Sequence, residues 1–312
     1  MKIALMDSGI GLLAAAGAVR RLCPEADLVL SSDPDGMPWG PRSPRDVTER
    51  ALVVARAAAQ HRPDALIVAC NTASVHALPA LRAELEPRLP VIGTVPAIKP
   101  AAAGGGPFAI WATPATTGSP YQRGLIRDFA ANAGVTEVPC PGLADAVENA
   151  DETAIDRAVA AAAALTPRDV RAVVLGCTHY ELVAERIRTA LRLRGLPAVV
   201  LHGSAGAVAA QALRRIDAHP APAGVEDGGE GLVPASAGQG ATGVNVPLNG
   251  QVTGVPVTGV PVTGVPVTGV PVTGVPVTGR LTVLLGGRES ALPGPALAYA
   301  EGRLLVAVSQ VH

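Results

Sequence analysis

Short runs of apolar residues alternate along much of the chain with longer segments in which apolar residues recur every three to four positions. The short runs predict buried strands, because strands of a parallel sheet are covered on both faces. The longer segments predict helices with one apolar face. The predicted strands are 3–6, 28–30, 65–69, 91–93, 108–111, 172–175 and 198–201. The predicted helices are 12–22, 44–61, 74–85, 122–133, 152–165, 181–193 and 205–216.

This alternation of strand and helix predicts an α/β fold with mostly parallel, doubly wound sheets that carry helices on both faces. So many strands within residues 1–216 favour two smaller α/β domains over a single large sheet.

The pattern stops after Ile216, where the chain becomes rich in Gly, Pro and Ala. Five tandem copies of Val-Thr-Gly-Val-Pro fill residues 252–276. Regular proline excludes a helix and a central strand, so we expect a disordered or loosely turned insert over 217–279. A repeat this regular is also what recent DNA slippage leaves behind. Order is expected to return with a strand over 281–285 and a weak helix over 293–300.

Composition narrows the possible functions. Hydrophobic residues make up 48% of the 312 residues, which is enough for a substantial core. The net charge of -1 offers no basic excess for a phosphate backbone, so we expect no nucleic-acid partner. Apolar runs are too short for a membrane span, and Asp7 interrupts the N-terminal run too early for a signal peptide. We therefore expect a cytoplasmic protein with no membrane partner.

The four cysteines lie far apart in the sequence, at positions 23, 70, 140 and 177. The absence of a Cys-x-x-Cys pair argues against a zinc site, and a reducing cytoplasm argues against disulfides. Each thiol is therefore either a small core residue or a reactive group. A lone cysteine is more often a small core residue than a nucleophile, and we interpret Cys23 and Cys140 in this way.

Polar residues follow three of the predicted strands, in the segments 7–11, 69–74 and 176–180. Ligands bind outside the carboxyl ends of strands in open α/β sheets. Each segment also precedes a predicted helix, whose N-terminal amides favour an anion and lower the pKa of a nearby thiol. The Asn-Thr pair after Cys70 and the Thr-His pair after Cys177 indicate a ligand site at these thiols.

Two thiols on facing domains can perform a specific reaction. Inverting the α-carbon of an amino acid requires a base on one face and a proton donor on the other. Cys70 and Cys177 would form this pair, one as thiolate and one as thiol. The alternatives are plainer: Asp7-Ser8-Gly9 could be a turn with a helix cap, and His179 a structural histidine.

These segments together resemble glutamate racemase, of the aspartate/glutamate racemase superfamily. The similarity covers about residues 1–216 and resumes at 280–301. Its most specific parts are Ala-Cys-Asn-Thr-Ala-Ser at 69–74 and Gly-Cys-Thr-His-Tyr at 176–180. Val-Pro-Ala-Ile-Lys-Pro at 95–100 is similar to the interdomain segment of the family.

The resemblance implies two pseudo-symmetric α/β domains with the active site between them. The first domain would comprise residues 1–95, with 204–216 and 280–301 returning to it. The second would comprise 96–203, and 217–279 would be an insert without a family counterpart. The implied mechanism uses two bases, with Cys70 on one face of the substrate and Cys177 on the other.

The resemblance also implies roles for further residues. Asp7 and His179 would assist the two thiols. Thr116 would reach the substrate from the Ala-Thr-x-x-Thr segment that includes Thr113 and precedes Tyr121. The remaining substrate-binding residues would be Asp7, Ser8, Pro38, Trp39, Gly40, Asn71, Thr72, Glu148, Thr178 and His179.

The implied function is the interconversion of L- and D-glutamate, supplying D-glutamate for peptidoglycan, by a homodimer without metal, pyridoxal phosphate or nucleotide. Leu12 stands where the family usually has glycine, and Trp39 stands where it usually has tyrosine, so a hydroxyl near the substrate is lost. Two alternatives remain open. One is a racemase for aspartate or another amino acid, and the other is a catalytically retired protein that binds a partner through the repeat.

Overall fold

The protein is described here by a computed structural model, which covers residues 1–196, 198–217 and 278–307. The predicted insert over 217–279 lies almost entirely outside these residues. No helix within the described residues is long and apolar enough to cross a membrane.

The first sheet has six strands in the order β10-β9-β2-β1-β3-β4. All its neighbouring strands are parallel except β9 and β10, which form an antiparallel pair. Its strands are β1 (Lys2–Asp7), β2 (Asp27–Ser32), β3 (Ala65–Val68), β4 (Val91–Gly93), β9 (Leu281–Leu285) and β10 (Arg288–Ser290).

The second sheet has four parallel strands in the order β6-β5-β7-β8. They are β5 (Phe108–Ala112), β6 (Val135–Pro139), β7 (Ala172–Leu175) and β8 (Val200–His202). Within each sheet, the first four strands in chain order are arranged second, first, third, fourth. The two sheets are therefore pseudo-symmetric, and β1 and β3 correspond to β5 and β7.

Helices cover both sheets. They are α1 (Leu12–Leu22), α2 (Pro44–Ala59), α3 (Asn71–His76), α4 (Leu78–Leu85), α5 (Ile98–Ala103), α6 (Pro120–Ala130), α7 (Leu143–Glu148), α8 (Glu152–Leu165), α9 (Thr178–Glu181), α10 (Ala184–Leu193), α11 (Ala205–Asp217) and α12 (Ala300–Val306). A short 3-10 helix spans Gly294–Ala298. The predicted α/β class with mostly parallel sheets is confirmed.

Helix starts follow from local chemistry. Ser43 and Ser119 cap α2 and α6, and their hydroxyl oxygens accept hydrogen bonds from the backbone N–H groups of Asp46 and Gln122. Proline follows each serine, because the first helical turn does not need the N–H group that proline lacks. Asp151 caps α8 in the same way through the N–H group of Ala154.

The largest cluster of buried apolar side chains joins the two sheets. It contains residues from the first sheet and from α1, together with β5, β7 and α8 of the second sheet and α11. Helix α11 follows β8 of the second sheet, but it packs against α1 and close to β3 and β4 of the first. Strand β9 extends the first sheet beside β2. Two segments distant in sequence therefore complete the first sheet and its helical layer.

The structure contains β6, α5, α7 and β10, which the sequence pattern does not predict, and it divides two of the predicted helices. The helix predicted over 74–85 is divided at Ala77 into α3 and α4, and Pro79 cannot donate the hydrogen bond that would continue α3. The helix predicted over 181–193 is likewise divided into α9 and α10. Both α3 and α9 begin directly after a cysteine. Each break therefore leaves a short helix next to Cys70 or Cys177.

Candidate active site

The carboxyl ends of corresponding strands in the two sheets open onto one cavity of about 260 Å³. Asp7 and Cys70 come from the ends of β1 and β3, while Thr113 and Cys177 come from the ends of β5 and β7. The cavity therefore has one wall from each sheet. Since ligands bind at this end of parallel strands, the location suits a substrate site.

Twelve of the thirteen predicted site residues line this cavity. They are Asp7, Ser8, Pro38, Trp39, Gly40, Cys70, Asn71, Thr72, Thr116, Cys177, Thr178 and His179. Glu148 does not line it, but lies behind His179. Thr113 lines the cavity and its hydroxyl is 3.2 Å from that of Thr116, whereas Tyr121 is not part of the lining.

Asp7 is the polar centre of the wall formed by the first sheet. One carboxylate oxygen accepts a hydrogen bond of 2.7 Å from the N–H group of Ser8, and the other accepts one of 3.5 Å from the Thr178 hydroxyl. The Cys70 thiol lies next to this carboxylate. Burial raises the pKa of Asp7 to about 6, although the charge of His179 and the neighbouring Cys70 thiol oppose this rise.

Cys70 does not have the lowered pKa that its place before a helix predicts. Burial raises the pKa of its thiol well above the ordinary value, and the neighbouring Asp7 carboxylate raises it further. Helix α3 has only six residues, so its dipole adds little to offset the loss of water. In the unliganded protein Cys70 is therefore held as a thiol.

The wall formed by the second sheet contains a chain of three groups. The Cys177 sulfur is 3.7 Å from Nδ1 of His179, and Nε2 of His179 is 2.9 Å from a Glu148 carboxylate oxygen. Burial alone would lower the pKa of His179. The hydrogen bonds to Cys177 and Glu148 raise it well above its ordinary value instead. His179 is thus a buried proton carrier in contact with the Cys177 sulfur.

Glu148 also joins the two walls. The carboxylate oxygen that contacts His179 accepts a hydrogen bond of 2.8 Å from the N–H group of Ile10, in the loop after β1. Gly9 and Gly11 permit this approach. A Cβ at Gly9 would collide with the Glu148 carboxylate, and one at Gly11 would collide with Asp7, Thr178 and His179. Close packing accounts for the glycines of this loop.

Asn71 forms a direct hydrogen bond across the cavity. Its side-chain nitrogen donates to the carbonyl oxygen of Gly176, next to Cys177, over 2.7 Å. Its side-chain oxygen is buried and has no hydrogen-bond partner among the described residues. Because a buried polar atom normally has a partner, this oxygen is available to accept a hydrogen bond from a ligand.

Trp39 has a structural partner in place of the lost tyrosine hydroxyl. Its indole N–H donates to Asp33 over 3.0 Å, and Asp33 also forms an ion pair with Arg50 at 3.1 Å. The side chain is 1% exposed. Leu12 is likewise buried in the largest apolar cluster. Trp39 therefore fixes the 38–40 loop from beneath while the loop lines the cavity.

Sequence reasoning missed part of the lining. Cys140, Pro141, Gly142, Ala144 and Asp145 line the cavity from the segment after β6. The sequence pattern predicts no strand here, so no site residue is expected at its carboxyl end. The segment Val-Thr-Glu-Val-Pro offers only three β-branched residues and no period-two alternation, which makes its strand signal weak. Cys140 is buried as expected for a core residue, and burial raises its pKa to about 12.

No group of three or more metal-ligating side chains is found among the described residues. The cavity brings together two thiols, each with a titratable side chain beside it. One thiol is beside Asp7, and the other is beside the His179–Glu148 pair.

The sequence matches the Asp/Glu/Hydantoin racemase family over residues 14–211. Glutamate racemase of Pseudomonas entomophila (strain L48) is 33% identical over 219 residues, covering 69% of this chain and 80% of that protein. Glutamate racemase of Vibrio campbellii (strain ATCC BAA-1116) is 39% identical over 196 residues, which are 61% of this chain and 72% of that protein.

The fold is similar to that of Escherichia coli glutamate racemase in its complex with L-glutamate and the activator UDP-MurNAc-ala. The TM-score is 0.64 at 30% identity, and the match covers 71% of this chain and 84% of that chain. The family match extends over more than half of the sequence and includes both cysteine segments. The chain therefore belongs to the Asp/Glu/Hydantoin racemase family and, within it, to the glutamate racemases.

Proposed function

We propose that this isomerase interconverts L- and D-glutamate with Cys70 and Cys177 as its two acid/base groups and without a cofactor. The observation that carries this proposal is the position of the two thiols. They follow corresponding strands, β3 and β7, of two pseudo-symmetric sheets and line opposite walls of one cavity. An α-carbon between them would have a thiol on each face.

Each turnover consists of two proton transfers. The thiolate on one wall removes the α-proton, and the electron pair is delocalised into the substrate carboxylate. The thiol on the other wall then donates its proton to the opposite face of the same carbon. The product has the inverted configuration, and the two sulfurs have exchanged protonation states, so the enzyme is ready for the reverse reaction.

The neighbours of each thiol support its role as an acid and a base. Asp7 would accept the Cys70 proton, since its pKa of about 6 suits proton transfer near neutral pH. His179, held by Glu148, would serve Cys177 in the same way. Ser8, Asn71, Thr72, Thr116 and Thr178 would hold the amino and carboxylate groups of glutamate, and Pro38, Trp39 and Gly40 would close the pocket.

We also propose that residues 1–95, 204–216 and 280–301 act as one domain and residues 96–203 as the other, with the reaction between them. Supply of D-glutamate for peptidoglycan fits the name shared by the relatives. We also propose that the protein acts in the cytoplasm as a homodimer. The alternative is a preference for another amino acid, because Trp39 stands in the loop that lines the pocket.

The experiment follows the circular dichroism of L-glutamate, D-glutamate and L-aspartate, each separately, with purified protein. Cys70→Ser and Cys177→Ser are each expected to lower racemisation by at least about 100-fold, because general acid–base groups contribute about 10²–10⁴-fold. Cys23→Ala is the matched control, since Cys23 is buried away from the cavity, and it is expected to retain activity.

Full activity in either serine variant would refute the two-thiol mechanism. Decay with aspartate but not glutamate would assign the protein to the alternative substrate. Folded wild-type protein that racemises neither amino acid would favour the retired interaction protein.

A further inference from the structure

Glu181 is a buried carboxylate that the mechanism above does not use. It ends α9, the short helix that follows Cys177 and contains His179. The residue is 9% exposed, and burial raises the pKa of its carboxyl group. Burying a carboxylate is costly unless hydrogen bonds replace its water. Its partners therefore indicate what the residue stabilises.

Those partners lie at the beginning of α11. One carboxylate oxygen accepts hydrogen bonds from the Ser204 N–H group at 2.8 Å, the Ser204 hydroxyl at 2.9 Å and the Ala205 N–H group at 3.2 Å. The other oxygen is 3.3 Å from the same Ala205 nitrogen. Glu181 thus supplies the cap that the thirteen-residue helix α11 requires, from a distant part of the chain.

This contact connects the two halves of the cavity from behind. Helix α11 packs on α1 and lies near β3, the strand that ends before Cys70. Helix α9 belongs to the wall that carries Cys177 and packs against α1 and α7. The Glu181 carboxylate therefore fastens the Cys177–His179 segment to a helix that is fixed on the first sheet.

Gly203 leaves room for the carboxylate. A Cβ at this position would stand 2.6 Å from the Glu181 carboxyl carbon and would collide with one of its oxygens. The side chain of Glu181 thus occupies the space that a side chain at 203 would fill. An acidic residue at 203 would reach the same N–H groups only if Glu181 were shortened.

We propose that Glu181 is a positioning residue, which sets the placement of Cys177 and His179 relative to Cys70 by fastening α9 to the start of α11. The inference rests on the proposed two-thiol function. Proton transfer between a sulfur and an α-carbon depends steeply on distance, and a displacement of about 1 Å can cost about 10²-fold in rate. Loss of the carboxylate should therefore lower kcat more than it raises KM.

The test compares Glu181→Ala, Gly203→Asp and the double variant carrying both changes. Glu181→Ala is expected to lower kcat for glutamate by about 10- to 100-fold, with KM changed by less than about threefold. Gly203→Asp alone is expected to be impaired, because two carboxylates compete for one space. The double variant returns a carboxylate to the start of α11. Its kcat is expected to be at least about tenfold higher than that of Glu181→Ala.

Asp151→Ala is the matched control for a purely structural helix cap. Asp151 caps α8 through the Ala154 N–H group at 3.0 Å and is not part of the cavity lining. This variant is expected to lower the unfolding temperature and leave kcat unchanged. If Glu181→Ala behaves in the same way, with lower stability but wild-type kcat, Glu181 is only a helix cap and the proposal is overturned.

A second readout does not depend on turnover. Iodoacetamide alkylation of Cys177, followed by peptide mass spectrometry, reports the placement of its sulfur beside His179. The rate is expected to change several-fold in Glu181→Ala and to return in the double variant, while Cys23 reacts as in the wild type. An unchanged Cys177 rate would overturn the positioning role. Inactive wild-type protein that shows this pattern would refute the proposed function alone.

Discussion

Asp7 is the residue whose environment differs most from that of an ordinary surface carboxylate. It is 1% exposed, and it contacts Ser8, Cys70 and Thr178. Burial opposes its ionisation, whereas its hydrogen bonds and the nearby His179 favour it. The balance leaves a carboxyl group that can gain or lose a proton near neutral pH, which a residue serving a thiol requires.

The raised pKa of Asp7 predicts a pH dependence of stability. The unfolded chain loses this proton near pH 3.8, and the folded protein loses it near pH 6. The free energy of unfolding should therefore fall as pH rises from about 4 to about 6, by roughly 3 kcal/mol from this group, and should then level off. Asp7→Asn, which cannot ionise, should lack this decrease. Urea unfolding at several pH values measures the free energy of unfolding of the wild type and of Asp7→Asn. The same pH dependence in both proteins would contradict the prediction.

The hydrogen bond of Trp39 predicts an effect on substrate binding that can be separated from a general loss of stability. Trp39→Phe removes the N–H donor to Asp33 and loosens the 38–40 loop, so we expect a several-fold rise in KM for glutamate. Stability should fall by about 1–3 kcal/mol. Trp111→Phe is the control, because Trp111 donates to Thr166 away from the cavity. It should lower stability by a similar amount without changing KM, and equal KM effects would contradict this role for Trp39.

At the scale of elements, the first sheet depends on a strand from the far end of the chain. Strand β9 pairs with β2 along five residues, from Leu28 with Leu281 to Ser32 with Leu285. Leu284 packs into a cluster with Trp39, Val47 and the inner side of α2. Strand β9 therefore supports the loop that lines the cavity and also joins β2 to the edge strand β10.

This packing predicts that substitutions along β9 lower the free energy of unfolding by unequal amounts. Leu284 is 2% exposed, so Leu284→Ala should lower the free energy of unfolding by about 2–5 kcal/mol, through lost burial and the cavity left behind. Thr282 on the same strand is only partly buried, and Thr282→Ala should cost less than about 1 kcal/mol. Chemical denaturation compares the two. Equal costs would show that Leu284 does not anchor the strand.

At the scale of the whole molecule, the two sheets are joined at the site by few polar contacts. Asn71 donates to the carbonyl of Gly176, and Glu148 accepts from the N–H group of Ile10. Tyr299 adds a hydrogen bond of 2.6 Å from its hydroxyl to the Val147 carbonyl, beside Glu148. The spacing of the two thiols thus depends on contacts between the halves and not on either sheet alone.

Asn71→Ala should show this dependence. Losing the bond to Gly176 frees the segment that carries Cys177, so kcat/KM for glutamate should fall by about 10²-fold or more. Ser74→Ala is the control on the same helix, since within the described residues its hydroxyl bonds only to the Val68 carbonyl and the Thr94 N–H group. It should cost about 1 kcal/mol of stability and change kcat/KM little. A similar loss of kcat/KM in both variants would show that the Asn71–Gly176 hydrogen bond has no special effect on catalysis.

The sequence alone determined the fold class and most of the central strands. Strands such as β3 and β7 are continuous apolar runs, so their signal is local and needs no knowledge of their neighbours. The same holds for the polar segments at their ends, which contain Cys70 and Cys177. Because parallel strands align their carboxyl ends, these local signals predict that the polar residues of one sheet gather at one edge. That two such edges share one site, and that the 38–40 loop and Thr116 belong to it, followed only from the resemblance to glutamate racemase.

Only the tertiary structure decided the remaining features, because each depends on contacts between distant parts of the chain. Strand β6 and helix α7 are short and partly exposed, so their patterns were too weak to predict. The place of Glu148 behind His179, and the link from Glu181 to α11, arise from packing across the two sheets. The raised pKa of Cys70 has the same origin, because burial and Asp7 come from the assembled fold and outweigh the short helix beside it.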